Sequence, residues 1–317
     1  MRIGLFLSCE EYSPEQLLAQ ARRAAGRGFH AYWISDHFHP WLDDQGQSPF
    51  VWSMIGALSQ VSDLPITTAA TCPTGRIHPM IIAQAAATSA VMTNGKFILG
   101  LGSGEALNES IAGKVWPPTD IRLEMLAEAI QLIRELWSGD VVTHSGKHFT
   151  THHARIYTLP QQPPKIFVSG FGPKSTRLAA RMGDGYISTR PDEKLVKLFQ
   201  ESGGGGKPIT GGAKACYAKD EDEAVKMAYE RWRSSALPGE LAQVLPTPQH
   251  FEQASKVVEP QAMRKEMVCG PDPAKHLEGL KKYRDAGFDE VYVAPVGRYD
   301  LDMIDFYASE IIPALAD

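Results

Sequence analysis

The sequence is poor in cysteine, and this argues against two classes of stabilised fold. Only four cysteines occur in 317 residues. They lie far apart, at Cys9, Cys72, Cys216 and Cys269. Without a Cys-X-X-Cys pair or a dense cysteine framework, neither a zinc site nor a disulfide scaffold is indicated. We expect four reduced thiols.

Long apolar runs and basic clusters are also missing. No apolar stretch approaches the roughly 20 residues needed to span a bilayer, and "RIGLFLS" after Met1 is too short for the core of a signal peptide. Acidic residues outnumber basic ones, 37 to 32, and no dense Lys/Arg run would follow a phosphate backbone. We therefore expect a cytoplasmic protein whose partner is a small-molecule substrate, not a nucleic acid or a membrane.

Short β-rich runs alternate eight times with longer amphipathic runs. The strands are mostly apolar, which is typical of parallel strands buried on both faces. Eight such units predict a (β/α)8 TIM barrel, with a doubly wound open sheet as the alternative. The barrel is favoured because no Gly-X-Gly-X-X-Gly follows the first strand. The predicted strands are "RIGLFLS", "AYWISD", "ITTAAT", "FILGLG", "KIFVSG", "GYIST", "AKACYA" and "EVYVAPV".

The regular alternation of predicted strands and helices indicates one domain over residues 1–317, with insertions near 37–49, 139–164 and 237–269. Within the second insertion, the histidine-rich "HSGKHFTTHH" is interpreted as a solvated surface hairpin. The glycine run "SGGGGKP", between the sixth and seventh strands, is interpreted as a mobile lid or a linker.

Polar residues gather where the predicted strands end, and in a barrel those ends share one face. The loop "SDHFHPW" offers Asp36, His37 and His39, but three metal ligands crowded into one tight loop are weak evidence, and we expect no metal. A histidine at a strand end with carboxylates nearby suits a general base. A buried structural histidine remains the alternative.

Two glycine-rich turns follow strands and lead into helices. In "LGLGSGEALNE" and "VSGFGPKSTRLAA", exposed backbone N–H groups at a helix start are suited to binding phosphate. The alternatives are an ordinary tight turn and, for Glu105, a carboxylate that only stabilises the start of its helix.

Taken in order, "SDHFHPW", "CPTGRIHPMIIAQAAAT", "LGLGSGEALNE", "LIRELWSGD" and "GFGP...AARMGDGYIST" resemble the bacterial luciferase-like superfamily. The resemblance is closer to its F420-dependent glucose-6-phosphate dehydrogenase branch, and it weakens between about 191 and 269. It implies coenzyme F420, a 5-deazaflavin that takes a hydride at C5, with FMN as the alternative. Family members are commonly homodimers, and the apolar "FVWSMIGAL" would suit a partner face.

The resemblance also assigns residues. For chemistry, His37 matches the base that takes the substrate hydroxyl proton, Glu105 the acid at deazaflavin N1, Trp41 a residue that shapes the pocket, and Glu10 an alternative base. The family's non-proline cis peptide would join Ala69 to Ala70. The other cofactor positions are Asp36, Cys72, Ser103, Gly104 and Asn108 at the ring and Gly170, Phe171 and Gly172 at the phosphate.

Substrate recognition is where this sequence departs from the branch. Asp192 stands where the sugar-phosphate enzymes have a phosphate-binding lysine, while Arg190 and Lys265 are the remaining candidates for that role. We expect a hydride transfer from a glucose-6-phosphate-like sugar, with an unphosphorylated sugar or another alcohol as the alternative. A reductase or monooxygenase using FMN or reduced F420, and a non-catalytic F420-binding protein, remain open.

Overall fold

The eight predicted strands close into a parallel barrel in the computed structural model, which describes residues 1–315. Strand order around the barrel is β1, β2, β3, β4, β7, β8, β9 and β11, and β11 pairs with β1 again. The (β/α)8 prediction is therefore confirmed. The barrel strands are β1 (Arg2–Leu7), β2 (Tyr32–Ile34), β3 (Ile66–Thr68), β4 (Phe97–Leu101), β7 (Lys165–Ser169), β8 (Gly185–Ser188), β9 (Ile209–Cys216) and β11 (Glu290–Pro295).

Aromatic side chains fill the barrel interior. Trp33 on β2 stacks on Tyr292 on β11, with ring centroids 4.6 Å apart and planes 9° apart. Phe6 on β1 meets the same indole edge-on at 5.6 Å. Gly212 on β9 leaves room for this layer, because a Cβ there would overlap the Trp33 ring. The packed interior leaves the polar chemistry to the carboxyl ends of the strands.

Helices surround the barrel, and several begin with the residue types that satisfy free backbone N–H groups. Ser13 and Gln16 form a capping box on the first helix, and Asp272 caps Pro273–Asp285. This last helix was not among the predicted elements. The helices are α1 (Pro14–Ala24), α2 (Val51–Leu58), α3 (Pro79–Met92), α4 (Ala106–Glu109), α5 (Thr119–Leu136), α6 (Pro173–Met182), α7 (Glu193–Phe199), α8 (Glu221–Trp232), α9 (Leu241–Val244), α10 (Pro248–Ala254), α11 (Met263–Glu266), α12 (Pro273–Asp285), α13 (Asp300–Phe306) and α14 (Ile312–Ala314).

The histidine-rich segment forms an antiparallel hairpin of β5 (Val142–Ser145) and β6 (Thr150–Ala154). It is less solvated than the sequence suggested. His144 lies 3.3 Å from Glu128 and 3.4 Å from Glu135, both on α5. Backbone N–H groups of His148 and Phe149 also donate to Glu128. The hairpin is therefore attached to α5 by a partly buried carboxylate.

The chain between residues 237 and 269 packs short helices over the carboxyl end of the barrel. Phe251 on α10 is fully buried against Leu42, Leu107 and Leu237. A two-residue strand, β10 (Val268–Cys269), then pairs with the end of β9. This segment brings apolar side chains to the loop that carries the "SDHFHPW" motif.

The glycine run after α7 does not form a lid over the site, so the lid interpretation was wrong and the linker alternative is retained. Residues Gln200–Gly204 continue α7 as a π-helical turn. The Lys207 ammonium donates to the carbonyls of Ala180 and Gly183, at 2.7 and 2.9 Å. The run leads into the amino end of β9, and in a barrel the site loops follow the opposite, carboxyl ends.

Within residues 1–315, no helix combines the length and the apolar character needed to cross a bilayer. The same residues contain no group of three or more His, Cys, Asp or Glu side chains arranged around a metal. All four cysteines are unpaired and buried.

Candidate active site

Three predicted catalytic side chains meet at the carboxyl end of the barrel. His37, after β2, places Nε2 3.3 Å from Oε1 of Glu10, which follows β1. The same Nε2 lies 3.5 Å from Oε1 of Glu105, which follows β4. The side chains are 10%, 4% and 24% exposed, so an imidazole and two carboxylates share a mostly dry site. Such a group can hold and transfer a proton.

Glu10 is buried but held as a carboxylate. Its Oε2 accepts hydrogen bonds from Ser8 and Ser35, at 2.9 and 2.6 Å. Burial acts to raise the pKa of Glu10, but the His37 charge and the two hydroxyl donors outweigh it, and the pKa is lowered. Oε1 is left to face the imidazole.

Asn108, at the start of α4, ties these loops together. Its Oδ1 accepts the backbone N–H groups of Phe38 and His39, at 2.7 and 3.0 Å. Its Nδ2 donates to Glu105 Oε1 at 2.7 Å and lies 2.9 Å from His37 Nδ1. The two backbone donors fix the orientation of the amide, so Nδ2 points towards His37 Nδ1. His37 Nδ1 also lies 3.1 Å from the His39 carbonyl, and these contacts hold the ring so that Nε2 faces Glu10 and Glu105.

Trp41 connects the catalytic cluster to the 237–269 segment. Its ring lies 5.0 Å from that of His37 and 5.2 Å from Phe251, the latter in an edge-on arrangement. Gln45 Oε1 accepts the Trp41 backbone N–H at 2.8 Å. The indole is therefore held between the imidazole and a buried phenyl ring, as expected of a side chain that shapes the pocket.

Asp36 lies beneath the site and is paired with an arginine that the sequence reasoning missed. Arg76 Nη2 donates to Asp36 Oδ1 at 2.7 Å, and Thr71 Oγ1 donates to Oδ2 at 2.8 Å. The Arg76 backbone N–H donates to Glu109 Oε2 at 2.6 Å. Arg76 stands in the quoted motif "CPTGRIHP", but no local pattern links it to a carboxylate 40 residues earlier.

The glycine-rich loop after β4 packs against the loop after β3. Gly104 adopts a φ of +76°, and a Cβ there would lie only 2.5 Å from the Cys72 sulfur. Cys72 is itself buried, with Sγ 3.0 Å from Thr74 Oγ1, and burial raises the pKa of its thiol. The peptide between Ala69 and Ala70 is cis, as predicted. Ser103, which precedes Gly104 in this loop, is half-buried.

The second glycine-rich turn leaves open space at the start of α6. Nothing lies within 4 Å of the position a Gly172 Cβ would occupy. The Gly170 carbonyl accepts from the buried Tyr186 hydroxyl at 2.7 Å, which fixes the turn. The side chain of Phe171 is 48% exposed. The turn is therefore held by the hydrogen bond at Gly170, while the space beside Gly172 is open.

The two predicted phosphate ligands are not part of the buried cluster. Arg190, after β8, and Lys265, on α11, are both exposed. Within residues 1–315, neither side chain makes a hydrogen bond or an ion pair. Asp192 caps α7, accepting from the N–H groups of Lys194 and Leu195 at 2.9 and 3.2 Å. Asp192 thus has a structural role as the cap of α7.

A second buried carboxylate, Glu11, lies next to Glu10 in the chain. It accepts the indole N–H of Trp232 and the backbone N–H of Gly297, each at 2.7 Å. Burial raises the pKa of Glu11 to about 7. Glu11 was not among the predicted site residues, because its partner on α8 is 221 residues away and no local signal identifies it.

Comparisons with known proteins agree with this geometry. A family model described as luciferase-like monooxygenase matches residues 1–290. The chain is 34% identical to an F420-dependent hydroxymycolic acid dehydrogenase of Mycobacterium tuberculosis, over 99% of this chain and 88% of the relative. It is 33% identical to an F420-dependent glucose-6-phosphate dehydrogenase of Microbacterium testaceum, over 99% and 97%.

Among solved structures, an F420-dependent secondary alcohol dehydrogenase bound to an F420-acetone adduct superposes with a TM-score of 0.90. That protein is 30% identical, with 100% of this chain and 99% of the other covered. The F420-dependent tetrahydromethanopterin reductase of Methanopyrus kandleri shares the fold, with a TM-score of 0.79 at 18% identity, over 99% of each chain. The chain therefore belongs to the luciferase-like monooxygenase family, and its full-length relatives include F420-dependent dehydrogenases.

Proposed function

We propose that this protein is a dehydrogenase that uses coenzyme F420 to oxidise a hydroxyl-bearing carbon of a sugar or another alcohol. The observation that carries the proposal is the contact of His37 with both Glu10 and Glu105 in one mostly buried cluster. The names of two full-length relatives, an F420-dependent hydroxymycolic acid dehydrogenase and an F420-dependent glucose-6-phosphate dehydrogenase, support the cofactor. When bound, the deazaflavin supplies a hydride acceptor.

The His37–Glu10 pair is suited to take the hydroxyl proton. Removal of a hydride from a carbinol carbon requires loss of that proton to a base within hydrogen-bond reach. His37 Nε2 lies 3.3 Å from Glu10 Oε1, so Glu10 stabilises the charge that an added proton brings to the imidazole. Asn108 holds the other ring nitrogen, so the imidazole keeps its orientation during the transfer.

Glu105 and Trp41 complete the proposed machinery. Glu105 also approaches His37 Nε2, at 3.5 Å, and its carboxyl is the acid we assign to the cofactor side of the site. Trp41 presents its indole beside the imidazole, where it limits the room for substrate and excludes water. These roles agree with the ones that the family resemblance implies.

The residues around the carboxyl end of the barrel fit a group of the size of F420. Gly104 keeps its loop pressed onto Cys72, and the Ala69–Ala70 backbone and Ser103 lie beside it without large side chains. The open space at Gly172 lets an anionic group approach the N–H groups of α6. Asp36 and Asn108 have their polar atoms bound to protein, so we assign them the positioning of the ring-binding loops.

The substrate is proposed as an alcohol, with glucose-6-phosphate as the first sugar to test. The exposed Arg190 and Lys265 are the candidates for a phosphate contact. A capping role for Asp192 and the similarity to a secondary alcohol dehydrogenase favour unphosphorylated alcohols equally well. The sequence departures therefore leave the site suited to a broader alcohol class than sugar phosphates.

The decisive experiment measures loss of the visible absorbance of oxidised F420 with sugar phosphates, free sugars and secondary alcohols, and repeats it with FMN. Bleaching of F420 with one substrate class, abolished in His37→Asn with F420 affinity retained, is the expected result. Binding of F420 without bleaching by any alcohol would contradict the proposal and favour a reductase or a binding protein.

We further propose a homodimer that works in the cytoplasm. Phe50, Ile81 and Met92, on or next to α2 and α3, expose 52%, 48% and 40% of their surface and would suit a subunit interface. Four unpaired thiols suit a reducing compartment. Sedimentation equilibrium would show the dimer, and a concentration-independent monomer would contradict it.

A further inference from the structure

A lysine that the proposed mechanism does not use lies inside the barrel mouth. Gly212 on β9 faces the interior, because a Cβ there would meet the Trp33 ring and Thr189. Side chains two residues apart on a strand point to the same face, so Lys214 faces inward one layer nearer the carboxyl end. It pairs in register with Ala294 on β11.

The Lys214 ammonium lies over an aromatic ring but has no hydrogen-bond acceptor. Its Nζ is 4.3 Å from the centroid of the Trp232 ring, whose N–H donates to Glu11. Within residues 1–315 it makes no hydrogen bond and no ion pair within 4 Å. A cation over an aromatic face is stabilised, but its three N–H donors are left without partners.

The charged groups that face this ammonium are the carboxylates of Glu10, Glu11 and Glu266 and the guanidinium of Arg190. Burial lowers the pKa of Lys214, and the carboxylates counter only part of that effect. Lys214 lies near the carboxyl end of β9, and Glu10 follows the carboxyl end of β1, which is separated from β9 only by β11. Because Glu10 is also the partner of His37, Lys214 is on the same part of the barrel rim as the proposed proton-accepting pair. A substrate whose reacting hydroxyl lies at His37 could therefore direct another of its substituents towards Lys214.

We propose that Lys214 determines specificity by donating a hydrogen bond to a second oxygen of the substrate, a hydroxyl or carbonyl oxygen next to the carbon that is oxidised. The proposal rests on the proposed function. A neutral oxygen fits better than an anion, because nearby carboxylates already balance the ammonium charge. The preferred substrate is then a polyhydroxy or hydroxycarbonyl compound, not a simple alcohol.

The test compares 2,3-butanediol with 2-butanol, which differ by one hydroxyl group. Wild-type kcat/KM is expected to favour the diol by about tenfold or more, since a hydrogen bond to a charged group contributes on that scale. In Lys214→Met, the preference should fall to near unity while 2-butanol oxidation and F420 affinity change little. Lys219→Met, an exposed lysine beyond the same strand, is the matched control and should retain the wild-type ratio.

Two outcomes would overturn the proposal. If the wild type shows no preference for the diol, no second oxygen is recognised. If Lys214→Met lowers oxidation of both alcohols equally, Lys214 supports Glu10 or the fold and not the substrate. Thermal unfolding of the variant, compared with Lys214→Arg, separates a loss of folding from a loss of recognition.

A second readout needs no turnover and so separates this proposal from the proposed function. The apoprotein is acylated with N-hydroxysuccinimidyl acetate, and Lys214 and Lys219 are followed by peptide mass spectrometry. We expect 2,3-butanediol, but not 2-butanol at the same concentration, to protect Lys214 from acylation. Acylation of Lys219 should be unaffected by either alcohol. Equal effects of the two alcohols on Lys214 would overturn the inference even if F420 reduction succeeds. Selective protection would uphold it even if neither alcohol is oxidised.

Discussion

Replacement of Glu10 by Gln tests the proposed proton-accepting pair directly. The Glu10 carboxylate lies 3.3 Å from His37 Nε2, and the two side chains are only 4% and 10% exposed. Unit charges at that separation interact by about 1 kcal/mol in water and about 5 kcal/mol at an effective dielectric constant of about 20. Because the pair is mostly dry, we expect Glu10→Gln to raise the barrier by about 2 to 4 kcal/mol, which is about 30- to 1000-fold in rate.

The substitution keeps the shape of the site. The amide oxygen can take the Oε2 position and accept from Ser8 and Ser35, so the fold should be retained. The amide N–H then faces His37 Nε2, where it cannot accept a proton from an alcohol.

Stopped-flow reduction of F420 in a single turnover measures the chemical step, and fluorescence titration measures F420 affinity. Glu15→Gln, on the surface of α1, is the matched control. A rate within threefold of wild type, or an equal loss of rate and affinity, would refute the role of the pair.

Three further results are expected. Glu105→Gln should lower hydride transfer by about 10²- to 10⁴-fold while F420 affinity changes far less, and equal losses would rule out its role as an acid. Phe251→Ala should lower the free energy of unfolding, measured in urea, by about 3 to 5 kcal/mol and remove the ring that packs against Trp41. A loss below about 1 kcal/mol would contradict the packing role of Phe251. Burial raises the pKa values of Glu11 and Glu109 to about 7, from an ordinary 4.5. The folded state therefore binds these two protons more tightly than the unfolded state does, and each group stabilises the fold fully only below about pH 4.5. As the pH rises to 7, the free energy of unfolding should fall by up to about 3 kcal/mol for each group. Urea unfolding between pH 5 and 8 measures this, and a rise across that range would show that other groups dominate.

The barrel could be predicted because the strands are mostly apolar runs that alternate with amphipathic helices. The helix α12 escaped prediction although Asp272 and Pro273 are a standard helix start. The strand before it, β10, has only two residues and gives no periodic signal. The short helices of 237–269 are fixed by packing on Leu42 and Leu107, which no local pattern in the segment reveals.

The proposed catalytic residues could be located because they follow strands whose carboxyl ends share one face. The residues that hold them could not, since their partners are distant in sequence. Arg76 pairs with Asp36 across 40 residues, and Trp232 with Glu11 across 221. One signal was available for Lys214, because a lysine within the otherwise apolar "ITGGAKAC" is unusual for a strand buried on both faces.

The motifs "SDHFHPW" and "GEALNE" are two halves of one physical unit. Asn108 satisfies two backbone donors of the first motif with its oxygen and reaches His37 and Glu105 with its nitrogen. Asp could accept the backbone donors but would repel Glu105, and Leu would leave Phe38 and His39 without acceptors. An asparagine is therefore the side chain that permits His37 and Glu105, the proposed base and acid, to share one mostly buried site although they follow different strands. This explains why the two motifs, taken together, indicate a dehydrogenase more specifically than the barrel does.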